Sequence, residues 1–113
     1  MNLEFDKVKI FVTVPEGEEE KIRNAVCEVG AGVIGNYIYC SYMVNGVGTF
    51  IPNDRANPHI GTNGELECVN EVKLEFVCDV KDVKNVIANL RNVHPYEEPA
   101  IDIFPLLNED LFD

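Results

Sequence analysis

The chain has 113 residues, 46% hydrophobic and 26% charged, the size and balance of one globular domain with a modest core. Its 9 basic and 20 acidic residues leave a net charge of −11, which excludes nucleic acid and anionic membrane as natural partners. A domain this small hides only roughly 65% of its unfolded surface, so further burial between subunits is favourable.

Met1 to Asp6 carries neither the basic start nor the apolar stretch of a secretion signal. No apolar run approaches the roughly 20 residues that cross a bilayer, so the expected location is cytoplasmic. Val8, Ile10, Val12 and Val14 alternate with Lys7, Lys9, Phe11 and Thr13, which predicts a first strand. Pro15 and the acidic residues Glu16, Glu18, Glu19 and Glu20 follow; negative charge in a first helical turn complements its free N–H groups. Ile22, Ala25, Val26 and Val29 recur at helical spacing, and Gly30 and Gly32 supply a helix end.

Tyr37 to Val44 is aromatic and β-branched and predicts a second strand. From Asn45 to Gly64 glycine, proline and asparagine punctuate the chain, which predicts a long loop, a common place for function. Leu66, Cys68, Val72, Leu74, Phe76 and Cys78 then face one side of a third strand, with Glu65, Glu67, Glu71, Lys73 and Glu75 on the other. Asp79 or Asp82 is placed to cap a second helix bearing Val83, Val86, Ile87 and Leu90, which stops before Pro95. Ile101 and Ile103 mark a last short strand, and residues 108–113 form an acidic tail expected to fray. The order is βαββαβ: an α+β, ferredoxin-like domain over residues 1–113, with a four-stranded antiparallel sheet and two helices on one face.

The chemistry-bearing residues are few. The two histidines are His59, in the long loop, and His94, in His94-Pro95-Tyr96-Glu97-Glu98-Pro99. Imidazole with carboxylate suits a divalent cation, so His94 and Glu97 are candidate metal ligands; His59, His94, Tyr96, Glu97 and Glu98 are candidate ligand-binding residues. Two prolines equally make this segment a rigid connector, and that reading stays open. Cys27, Cys40, Cys68 and Cys78 have no Cys-x-x-Cys spacing, which predicts four reduced thiols that ligate nothing. Catalytic thiols need an electropositive setting that an acidic chain lacks, and no Ser–His–Asp signature is present. Gly46 and Gly48 are not followed by the lysine or helix of a phosphate loop; they are expected to shape a turn that aims Phe50 and Ile51 at a subunit interface.

The segments Gly35 to Tyr42, Gly46 to Pro52, Asn57-Pro58-His59-Ile60-Gly61, Glu67 to Glu75 and His94 to Pro99 run in one order that resembles the central insert domain of the YqfO proteins. Those proteins belong to the NGG-one-interacting-factor-three superfamily, and their insert is similar to CutA and to the PII signalling proteins. The resemblance covers about Val8 to Leu107 and implies a stand-alone CutA/PII-like module. It further implies a homo-oligomer, a trimer first and a dimer second, with a small ligand or divalent metal ion in clefts between subunits. A regulatory or metal-homeostasis role without catalysis follows from the same resemblance. A purely structural oligomerisation domain is the alternative. A metal-dependent hydrolase, as in full-length relatives, is disfavoured because their flanking metal-binding segments have no counterpart here.

Overall fold

A computed structural model describes residues 4–112. In β1 (Lys7–Pro15) Val8, Ile10, Val12 and Val14 are buried and the residues between them are not, as in a strand covered on one face. Helix α1 (Glu19–Cys27) carries Glu19 and Glu20 in its first turn and buries Ile22, Ala25 and Val26. Gly30, at φ 110°, closes it. The Ala31 amide donates to the Val26 carbonyl at 3.1 Å and the Gly30 amide to the Cys27 carbonyl at 3.4 Å, which satisfies the helix's free carbonyls.

The second strand begins later than the sequence predicts. Ile34 and Tyr37 exchange two backbone hydrogen bonds of 2.9 Å around Gly35, and Tyr39 sits at φ 60°, so extension fails before Tyr42. Ile34, Tyr37 and Ile38 are exposed there, so strand-like composition is not matched by a face to bury. Strand β2 is Tyr42–Phe50 and pairs with β3 (Glu67–Asp79). Gly46 and Gly48 therefore lie within β2, opposite Glu71 and Val69, and do not shape a loop. The true loop is shorter, from 51 to 66. Val72, Leu74, Phe76 and Cys78 of β3 are buried as expected; Leu66 and Cys68 are exposed, because both faces of that end of the hairpin are open.

A 3-10 turn at Val80–Asp82 leads into α2 (Val83–Val93), which buries Val86 and Leu90. Neither Asp79 nor Asp82 caps it by a side-chain hydrogen bond; the 3-10 turn brings the chain in instead. Strand β4 (Ile101–Leu106) pairs with β1, and its Pro105 is tolerated at a sheet edge. The strand order is β2-β3-β1-β4 with every pair antiparallel, which is the expected ferredoxin-like arrangement. Ile10, Val12, Leu74 and Phe76 of the sheet pack against Ile22, Val26, Val86 and Leu90 of the helices. Each such side chain contributes about 1.5–3 kcal/mol by leaving water. On the other face Phe11 and Phe104 lie with ring centroids 5.1 Å apart, and Lys73 Nζ sits 4.3 Å from the Phe11 ring centre. At the far end Glu109–Leu111 makes one 3-10 turn, with Asn108 Oδ1 accepting from the Asp110 amide at 3.4 Å.

Candidate functional site

His94 ends α2: its amide donates to the Leu90 carbonyl at 2.9 Å and its backbone then turns extended ahead of Pro95. The imidazole is only 7% exposed. Its Nε2 lies 2.9 Å from the Thr13 carbonyl of β1, and its Nδ1 lies 3.1 Å from the Tyr96 amide. A carbonyl can only accept, so Nε2 carries the proton and Nδ1 accepts the Tyr96 N–H. Burial is the main cause that lowers its pKa, with His59 adding to it; the Thr13 bond and the Glu71 and Glu18 charges oppose. The ring is thus held neutral with both nitrogens engaged by main chain.

Two residues further on, the Tyr96 hydroxyl donates to Glu71 Oε2 at 2.7 Å. Burial first, then that bond and the Glu71 charge, keep the phenol protonated well above the usual tyrosine range. Glu71 reaches this position across β2 over Gly48, where any Cβ would overlap its carboxylate. The 51–66 loop is braced by the Gly64 amide on the Pro52 carbonyl at 2.7 Å and by Asn63 Nδ2 on the Ala56 carbonyl at 3.1 Å. The Asn57 amide donates to Glu97 Oε2 at 2.7 Å and so ties the loop to the segment after α2.

Between loop and segment lies a cavity of about 360 Å³. Tyr96 lines it, with ring centroids 6.3 Å from Phe50 and 6.4 Å from His59, both tilted against it. His59, Tyr96, Glu97 and Glu98, all singled out from sequence, line it. His94 does not line it; it stands beside Tyr96 with centroids 5.1 Å apart, and a metal ion at His94 and Glu97 would require one of its two hydrogen bonds to break. Phe50 and Ile60 line the cavity and Ile51 is exposed. Thr13, Pro52 and Glu71 also line it, and no sequence signal marked them. Glu71 in particular is one acid among several on β3, distinguished only by the glycine across from it.

The four thiols are free, with Cys27 and Cys78 buried, Cys40 half-buried and Cys68 exposed. The Cys78 thiol is pushed up to about 11, by burial first and then by Asp82 and Asp79. No cysteine lines the cavity, so no Cys–His pair forms there. Among the described residues no three His, Cys, Asp or Glu side chains converge to hold a metal ion, and no helix is long and apolar enough to cross a membrane.

The sheet order and the two helices on one face define a ferredoxin-like module of the CutA type. Solved CutA structures share this fold: CutA1 from Shewanella sp. SIB1 matches with a TM-score of 0.69 at 17% identity, over 93% of this chain and 85% of that one. The sequence relationship lies elsewhere. A Bacillus cereus protein related to NIF3 matches with a TM-score of 0.80 at 36% identity, over 95% of this chain and 27% of its own. A protein of Halalkalibacterium halodurans named GTP cyclohydrolase 1 type 2 homolog is 45% identical over 101 residues, 89% of this chain. A Bacillus subtilis protein of the same name is 47% identical over 98 residues. The chain spans about 27% of the length of the first of these relatives, so it corresponds to a part of such proteins, as the resemblance to the YqfO insert implies. No protein-family model matches the chain.

Proposed function

We propose that this chain is a non-enzymatic CutA/PII-like module that self-associates and binds a small ligand in the cavity around Tyr96. The observation that carries the proposal is the cavity itself, of about 360 Å³ and walled by two segments tied together through Asn57 and Glu97. That volume is at the lower end of the range for small-molecule sites. His59, Tyr96, Glu97 and Glu98 are assigned to ligand contact, and His94 to holding Tyr96 in place. A cytoplasmic regulatory role accords with this reading. The CutA proteins include one named a divalent ion tolerance protein, from Ehrlichia chaffeensis. A metal ion is disfavoured at His94, whose two nitrogens are engaged, and among the described residues no three His, Cys, Asp or Glu side chains converge to hold one elsewhere. Catalysis has no supporting constellation among the described residues: the thiols lie outside the cavity, His94 has both nitrogens bonded to main chain, and His59 has no thiol beside it there.

The test is amide and aromatic NMR mapping of the isotope-labelled chain against a fragment library and, separately, Zn²⁺ and Cu²⁺. Ligand binding at the site predicts shifts confined to Phe50, His59, Tyr96 and Glu97. Shifts scattered over the surface, or none, would leave a purely structural oligomerisation domain as the better account.

A further inference from the structure

The chemistry of the cavity wall narrows the ligand further. Three rings line it, those of Phe50, His59 and Tyr96, and the two flanking rings are tilted by 58° and 53° against Tyr96. Aromatic rings that line one space can offer electron-rich surface to a cation held there, an attraction that needs no set of fixed ligand atoms. Three carboxylates, Glu71, Glu97 and Glu98, complete the wall, and among the described residues no lysine or arginine joins them. The Tyr96 hydroxyl donates to Glu71 at 2.7 Å, which pushes electron density into the phenol ring and strengthens its negative face.

An anionic ligand would meet these acids with no compensating charge. A small hard dication wants several oxygen or nitrogen donors converging at about 2–2.6 Å, and no such group of side chains exists among the described residues. A bulky organic cation needs neither.

Resting on the reading of this cavity as a ligand site, we infer that it takes a small organic cation, an alkylammonium or quaternary ammonium head, seated against Phe50, His59 and Tyr96. The apolar share of the pocket, from Pro52, Pro58, Ile60 and Ala100, suits the alkyl groups, and the glutamates supply the counter-charge. Glu97 has one oxygen occupied by the Asn57 amide, which leaves Glu98, exposed at the rim, as the freest acid.

Choline and its uncharged carbon isostere 3,3-dimethyl-1-butanol separate charge from shape. Calorimetric and NMR titration of the full chain should show choline bound with shifts at Phe50, His59 and Tyr96, and the isostere at least about tenfold weaker. Phe50→Leu should weaken choline several-fold. Glu98→Gln, at an exposed position that the fold does not need, should weaken choline and leave the isostere unchanged. Equal affinity for the two probes, or choline shifts away from these rings, overturns the inference. If neither probe binds while library fragments still shift the cavity resonances, the cationic class is wrong and the ligand site stands. If neither the probes nor the fragments reach the cavity, both are wrong.

Discussion

His94 is worth most at the scale of one residue because it joins three parts of the chain: α2, β1 and the segment that carries Tyr96. Removing the imidazole leaves the Thr13 carbonyl and the Tyr96 amide without partners in a poorly hydrated place. His94→Ala should therefore cost about 1–3 kcal/mol. The direction of its pKa adds a signature. Burial lowers the folded-state value below the ordinary 6.5, against the opposing pull of Glu71 and Glu18. Between the two values the unfolded chain binds the extra proton, so this group's contribution is fully present above about 6.5 and is lost as pH falls toward the folded-state value. Urea melts at about pH 7.5 and 5.5 should show wild type losing stability on the acid side and His94→Ala losing less of it. An identical acid slope in both proteins would contradict the neutral, doubly bonded ring. Sequence could name His94 as a candidate, and it could place Tyr96 and Glu97 beside it. It could not show that a carbonyl 81 positions away occupies one nitrogen.

Strands and helices were legible to the extent that they bury something. Val8 to Val14, Val72 to Cys78 and the stripes Ile22 to Val26 and Val86 to Leu90 alternate or recur because one side of each faces the core. Strand β2 starts later than its composition suggests because it lies at a sheet edge with every residue at least partly wet, and its two glycines read as loop. Gly48 has a reason to be in a strand: it leaves room for the Glu71 carboxylate, which in turn holds the Tyr96 hydroxyl. Gly48→Ala should keep the fold, since the obstructing atoms end a flexible side chain, but it should displace Glu71 and release Tyr96. With that bond and the nearby charge weakened, the Tyr96 phenol should titrate at lower pH than in wild type, while burial still keeps it above the ordinary value. Tyr96 ring resonances followed through an alkaline titration measure this; an unchanged midpoint would mean that Glu71 does not depend on the glycine.

At the scale of the molecule, one sheet face is covered by helices and the other is not. Tyr42, Val44 and Phe104 on the open side are 65%, 47% and 47% exposed, and Phe11 lies among them beneath Lys73. Strand β2 is also an edge, nine residues long, whose unpaired amides and carbonyls invite another strand. An open edge beside a face that carries exposed aromatic and aliphatic side chains among its charges is the kind of surface that a second copy covers, and a chain of this size gains from that burial. We expect a closed homo-oligomer, a trimer before a dimer. Each copy carries −11, so assembly brings like charges together, and added salt should tighten it by screening them. Phe104→Glu places a charge on the open face, on edge strand β4, without touching the helix-side core, so it should shift the chain toward monomer and leave its circular dichroism unchanged. Sedimentation equilibrium at tens of micromolar, roughly the range of a modest interface, decides the matter at low and moderate salt. A wild-type chain that stays monomeric in both would show that neither the open face nor the β2 edge holds a second copy. A Phe104→Glu variant that assembles as wild type does would remove the β4 side of the open face from the contact and leave the β2 side.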